Sequence, residues 1–233
     1  MERVISFSDV LHPEINREIL KILRKSNGWE IAHDHVGNNC NIIDDPYYPG
    51  VLDAKQGNPA HVSDAGFVQR TYDGEKPVRN EGFYNDLNTY AKLVMNICIK
   101  RAATGGYFYN NPRLFRVFWN YYSSASYGSL HHDEPGQDKD VTLTSIVYYL
   151  NDCGGPEYGT RVIEPSKANH FFVSKEGNAV MFPSNTLHGG TGAPHHKQRW
   201  CLNIMFDSSF HYDKDEADIK KLNQEHNPLA EIV

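Results

Sequence analysis

Basic clusters, long apolar runs and closely spaced cysteines are all missing from this 233-residue chain. No segment gathers Lys and Arg, and the formal net charge is −6. The clustered positive face that phosphate binding needs is therefore lacking, and no nucleic-acid partner is expected. No apolar run approaches the roughly 20 residues of a membrane-spanning helix. The opening Met1-Glu2-Arg3-Val4-Ile5 lacks the apolar stretch of a secretory signal. Neither a membrane nor export is expected, and a reducing cytoplasm is the simplest location. Cys40, Cys98, Cys153 and Cys201 stand far apart with no Cys-x-x-Cys pair, which excludes zinc-ribbon spacing and a dense disulfide framework and leaves free thiols. Repeats and low-complexity tracts are absent as well. Aromatic residues, by contrast, are plentiful. With 14 Tyr and 11 Phe in a chain that is 39% apolar and 22% charged, one sizeable core with aromatic surfaces for a pocket is expected, in a single domain spanning 1–233.

Along the chain, Pro13 suits a first helical turn, Ile15, Ile19, Ile22 and Leu23 recur at helical spacing, and Asn27-Gly28 is a stop. From about Trp29 to Asn80 the pattern dissolves into clusters such as Asp44-Asp45-Pro46-Tyr47-Tyr48-Pro49-Gly50, which predict turns and irregular structure. A second helix is predicted over Glu81 to Ala103, where Phe83, Leu87, Tyr90, Ala91, Val94 and Cys98 form a stripe. After Gly105-Gly106 come short runs of β-branched and aromatic residues: Leu114 to Tyr122, Val141 to Leu150, Thr160 to Ile163, Phe171 to Val173, Asn178 to Phe182 and Arg199 to Phe206. Helices first and strands later predict a mainly β fold, a sandwich or barrel with helices against one outer face. Residues 1–104 then hold the helices and the irregular segment, 105–210 the β core and 211–233 a charged tail with helical character between Lys214 and His226.

The chemistry concentrates in Leu130-His131-His132-Asp133-Glu134, followed 55 residues after Asp133 by His188-Gly189-Gly190. Residues two apart on an extended chain project to the same side, so His131 and Asp133 point together while His132 points away. Two imidazoles and a carboxylate on one face of a metal leave positions open, the arrangement that suits non-haem Fe(II). His132 with Glu134 is a competing ligand pair by the same two-residue spacing, on the opposite side of the chain, and it ranks second because nothing else requires it. Twelve histidines make coincidental spacings common, and His195 and His196 read as loop residues.

In this order and context the residues resemble the 2-oxoglutarate-dependent dioxygenases, and within them the prolyl-4-hydroxylase branch. The resemblance covers about Phe115 to Phe206. It rests on Tyr122 upstream of His131-His132-Asp133, the strand Thr144 to Asn151, Gly154-Gly155 with Gly159-Thr160, Gly177 to Ser184, His188 and Arg199-Trp200-Cys201-Leu202-Asn203. It implies a double-stranded β-helix (jelly-roll, cupin-like) core, Fe(II), 2-oxoglutarate as cosubstrate and ascorbate as an accessory. His131, Asp133 and His188 match the iron ligands, and Arg199 matches the residue that pairs with the distal carboxylate of 2-oxoglutarate. A guanidinium grips a carboxylate through parallel hydrogen bonds and stays charged when dry. Tyr149 matches a tyrosine on the same carboxylate, with Tyr148 as its rival on the other strand face, and Tyr122 is a further candidate near the cosubstrate. Lys197, in a polar loop, is the alternative to Arg199, and Pro156-Glu157-Tyr158 is an insertion relative to the branch.

The reaction implied consumes dioxygen and hydroxylates an unactivated C–H bond. The presence of Asp133 favours hydroxylation, because related halogenases lack that carboxylate. The likeness points to a prolyl residue in a peptide or protein as substrate, with small molecules such as free amino acids as the alternative. Residues 33–80, with Tyr47, Tyr48, Phe67 and Tyr72, suggest a lid or peptide groove, or else a plain surface excursion. Two other classes stand beside this reading: a cupin-like metalloprotein without 2-oxoglutarate, for which Arg199 has no use, and a non-catalytic binding barrel, against which the intact His/Asp/His set argues.

Overall fold

The computed structural model describes residues 4–26, 29–32, 66–74, 76–79, 82–123, 130–133, 143–166 and 168–209. Among these residues eleven strands and two helices follow one another as β1 (Ile5–Phe7), α1 (Pro13–Lys25), β2 (Glu30–Ala32), β3 (Gly66–Asp73), β4 (Lys76–Pro77), α2 (Gly82–Thr104), β5 (Asn110–Tyr122), β6 (Leu143–Tyr149), β7 (Gly159–Ile163), β8 (Asn169–Val173), β9 (Ala179–Pro183), β10 (Leu187–Gly190) and β11 (Arg199–Ser209). The strands make two antiparallel sheets. The larger runs β1-β9-β6-β11-β5-β3-β2, with β4 on β3, and the smaller runs β10-β7-β8. His131 adds an isolated bridge to His188 at the free side of β10. From β5 onward the chain passes back and forth between the sheets, β5 and β6 in the larger, β7 and β8 in the smaller, β9 in the larger, β10 in the smaller and β11 in the larger, and this winding is the double-stranded β-helix.

Residue alternation explains the layering. On β6 every residue is buried. Ile146 and Tyr148 join the helix-side core with Val117, Trp119, Leu202, Ile204 and Phe206, whereas Val147 and Tyr149 face the space between the sheets with Val162, Val180, Phe182 and Cys201. The helices cover the outer face of the larger sheet. In α1 the His12 ring accepts from the Glu14 N–H and Pro13 opens the first turn, while Ile19, Leu20 and Leu23 face inward. In α2 the buried stripe is Leu87, Ala91, Val94, Cys98 and Ala102, four of them core residues that periodicity selects. Cys98, Cys153 and Cys201 are free thiols. Among the described residues no helix is long and apolar enough to cross a membrane.

The stretch from Trp29 to Asn80, expected to be irregular, holds β2, β3 and β4, and β3 pairs with β5 along most of its length. Its core-facing residues hid it. Gln69 and Thr71 are fully buried, Gln69 Oε1 accepting from Ser26 Oγ and Thr71 Oγ1 from Trp119 Nε1 while Gln69 Nε2 meets no partner among the described residues, so the alternation of apolar with polar residues is lost. Tyr72, expected in a lid or groove, packs against the helix-side core instead. Tyr47, Tyr48, the side chain of Phe67, Cys40, Glu134 and the tail from 210 onward lie outside the described residues.

Candidate active site

Three chain segments meet at one end of the space between the sheets. His131 and His188 are locked by reciprocal backbone hydrogen bonds of 2.8 and 2.9 Å, and the Asp133 N–H donates to the Ser184 carbonyl at 3.1 Å. This tethering turns His131, Asp133 and His188 inward together, with one ligand atom from each within 4.8 Å of the others. Asp133 Oδ1 is 3.4 Å from His188 Nε2 and 3.5 Å from His131 Nε2. Metal–ligand bonds of about 2.1 Å would put neighbouring donors about 3 Å apart, so a small closure completes such a set. His132 is exposed and outside it, as are His195 and His196.

The tautomer of His188 tests whether a cation fits. His188 Nδ1 lies 2.9 Å from the Thr186 carbonyl, which can only accept, so Nδ1 carries the proton and Nε2 is a bare lone pair. That Nε2 is buried without a hydrogen-bond partner and faces a carboxylate oxygen. Two acceptors held this close repel unless a proton or a metal cation lies between them. Burial alone would raise the Asp133 carboxyl; positive charge on the His188 and His131 rings outweighs it and holds the acid well below the usual carboxylate range, so the carboxylate is set to face positive charge, which a bound metal would also supply. The residues thus fit a divalent metal, with a proton-bearing nitrogen pinned on the far side of His188 in the manner of metal-ligating histidines.

The other carboxylate oxygen is held by residues that sequence reasoning missed. Ser145 Oγ donates to Asp133 Oδ2 at 2.5 Å and lies 2.7 Å from Ser184 Oγ. Small polar residues inside apolar strands give no signal of their own, and only the register of β6 with β9, pairing Thr144 with Pro183 and Ser145 with Phe182, brings Ser145 and Ser184 together. Ser145→Ala is expected to lower metal affinity by roughly tenfold, within the range for losing an outer-sphere partner, as read by a metal-binding titration.

About two residues further along β10 lies a second polar centre. Arg199 is 1% exposed, its Nη1 donating to the Thr191 carbonyl and its Nη2 to Thr160 Oγ1, both at 2.9 Å. Its Nε is buried without a partner. The rings of Tyr122 and Tyr149 lie 5.1 and 5.6 Å from the guanidinium carbon. The groups that act on its charge are Cys201, Tyr149, Tyr122 and Cys153, and among the described residues no carboxylate pairs with it. A buried guanidinium stays charged, and one without a counter-ion is costly. Gly190 makes the room: a Cβ there would meet Arg199 Nη1 at 2.6 Å.

Of the two tyrosine candidates, Tyr149 sits beside Arg199, its hydroxyl donating to the Phe172 carbonyl at 3.1 Å and pushed up to about 12 by burial. Tyr148 points the other way, into the helix-side core, and donates to Asn16 Oδ1. Tyr122 is register-paired with Arg199. Lys197 is exposed in the loop before β11, with its amine against Gly154.

No protein-family model matches the chain, and no curated protein does. Solved structures do. A prolyl-4-hydroxylase from Pseudomonas putida is similar with a TM-score of 0.52 at 15% identity, over 89% of this chain and 93% of that one. A prolyl hydroxylase from Trichoplax adhaerens, in complex with a hypoxia inducible factor oxygen degradation domain peptide fragment, gives 0.54 at 13%, over 94% and 86%. The non-heme alpha ketoglutarate dependent epimerase SnoN from nogalamycin biosynthesis gives 0.52 at 12%, over 89% and 79%. At these identities the likeness establishes the fold, and a hydroxylase and an epimerase share it, so the reaction has to be argued from the site.

Proposed function

Because this chain has the double-stranded β-helix fold found in 2-oxoglutarate–Fe(II) oxygenases, we propose that it is an Fe(II)- and 2-oxoglutarate-dependent dioxygenase that hydroxylates a prolyl residue in a peptide or protein. One observation carries the cosubstrate: a buried Arg199 with no carboxylate partner among the described residues, facing the same space between the sheets as the His131, Asp133 and His188 set. His188 and Gly190 are two residues apart on β10, a step of roughly 7 Å, which a short dicarboxylic acid spans.

In this reading His131, Asp133 and His188 hold the iron, and Arg199 receives the distal carboxylate of 2-oxoglutarate. When bound, iron and 2-oxoglutarate would put dioxygen to use, one oxygen atom ending as the hydroxyl on the C–H carbon and the other in the succinate that forms as 2-oxoglutarate loses carbon dioxide. The chain's own residues orient and shield. Thr160 and the Thr191 carbonyl fix the guanidinium from one side, leaving its remaining edge for two parallel hydrogen bonds. Tyr149 stays a neutral phenol at physiological pH, and a turn of its hydroxyl away from Phe172 would offer a further donor. Val147, Val162, Val180 and Phe182 wall the space between the two centres and exclude water. Tyr122 closes the Arg199 end from β5.

Proline as the target is supported by the prolyl hydroxylases among the structural neighbours, one of which holds a peptide. Incubation with Fe(II), 2-oxoglutarate and a panel of proline-containing peptides tests it. Succinate formation that rises with a peptide, together with a gain of one oxygen atom on its proline by mass spectrometry, is expected. Succinate formation stimulated only by non-prolyl compounds would remove proline and keep the cosubstrate.

Gly190→Ala separates the two centres. The added methyl displaces the guanidinium, so half-saturation by 2-oxoglutarate is expected to rise roughly tenfold, the loss of about one charged hydrogen bond, while Fe(II) affinity changes less than twofold.

A further inference from the structure

The inner face of the larger sheet reads as a series of rows across β6, β11 and β5. Tyr149, Cys201 and Asn120 form one row; Val147, Asn203 and Phe118 the next; Ser145, Met205 and Arg116 the next. The first row borders Arg199, two residues before Cys201 on the same face, and the last carries Ser145, which holds Asp133. Asn203 therefore lies level with the middle of the corridor between the two centres. Its neighbours across β6 and β9 are Val147 and Val180, which suit the methylene carbons of a diacid. An amide is out of place there. Its side-chain oxygen is buried and meets no hydrogen-bond donor among the described residues, a state that costs free energy unless something else satisfies it.

We propose that Asn203 is a specificity-determining residue for the cosubstrate: its oxygen accepts a hydrogen bond from the middle of the bound 2-oxo diacid, so the site prefers an acid bearing an N–H or O–H at its third position over 2-oxoglutarate, which offers only CH2 there. The inference rests on the cosubstrate reading above. Arg199 and the metal set grip the two ends of each acid in the same way whether position 203 is Asn or Leu, so a change in preference between those two proteins falls on Asn203.

N-oxalylglycine has the carbon skeleton of 2-oxoglutarate with an N–H at that third position and serves as the probe. Its affinity and that of 2-oxoglutarate are measured anaerobically on the Fe(II) protein and on Asn203→Leu, by titration of 2-oxoglutarate and its displacement. The ratio of the two affinities on one protein cancels any general loss of folded material. The parent protein is expected to favour N-oxalylglycine roughly fivefold more than Asn203→Leu does, the worth of about one hydrogen bond. Asn203→Leu is expected to bind 2-oxoglutarate at least as well as the parent, whereas a merely structural Asn203 would weaken both ligands together. Equal ratios in the two proteins, with both acids bound, overturn the proposal and leave the cosubstrate reading standing. Failure of the parent to bind either acid overturns both.

Discussion

Replacing Arg199 by methionine is expected to weaken 2-oxoglutarate binding by about 100-fold while the ligand-free protein keeps or gains thermal stability. Two charge-assisted hydrogen bonds to a carboxylate are worth about 3 kcal/mol together, which is about two decades in affinity. The apo protein responds differently because in it the guanidinium is a buried charge that no described carboxylate balances, held by neutral partners, Thr160 Oγ1, the Thr191 carbonyl and the rings of Tyr122 and Tyr149. Methionine keeps much of the volume and removes the desolvated charge. A melting curve with and without 2-oxoglutarate and Fe(II) reads both halves. A fall in apo stability with unchanged 2-oxoglutarate affinity would make Arg199 a structural residue. Arg199→Lys is expected to fall between, since an ammonium lacks the planar fork.

His188→Ala is the second large effect. The imidazole sits 2% exposed between Thr186 and Asp133, and its loss opens the most deeply buried corner of the metal set, for His131 and Asp133 are more exposed. Fe(II) affinity is expected to fall by more than about 100-fold, beyond what outer-sphere changes produce. The rise in melting temperature that Fe(II) gives the parent should vanish with it. Retention of tight Fe(II) binding in His188→Ala would move the metal elsewhere in the chain. His132→Ala, altering an exposed neighbour outside the set, is expected to change neither quantity.

Much of the site is legible in the amino-acid sequence. His131 and Asp133 share a side because extended chain repeats every two residues, and Arg199 stands out as a cation opening an apolar strand. The fold brings together the residues so selected, and it sends Tyr148 and Tyr149 to opposite faces of β6, as alternation requires. The parts that stay hidden depend on pairings distant in sequence. Ser145 and Ser184 look like ordinary strand and turn residues until the β6–β9 register joins them at Asp133. Thr160, Gly190 and Thr191 become a guanidinium cradle only because β7 pairs with β10. Strand β10, with the sequence Leu-His-Gly-Gly, carries no β-branched residue to announce it. Strand β3 escapes notice for the opposite reason: its inward Gln69 and Thr71 are polar, and each accepts a hydrogen bond from elsewhere in the fold, from Ser26 and Trp119. The helices are the easier part, since the stripe of α2 depends on local spacing alone.

The neighbouring structures include enzymes of different outcome on one scaffold, so the central claim is about cofactor and cosubstrate before it is about proline. Its most direct measurement is an anaerobic titration of the protein with Fe(II) and then 2-oxoglutarate, followed by visible absorption. The account predicts a weak charge-transfer band that needs both additions, disappears in His188→Ala and calls for far more 2-oxoglutarate in Arg199→Met. Iron bound tightly with no band at any 2-oxoglutarate concentration would contradict it, leaving a metal-binding barrel whose buried arginine serves some other acid.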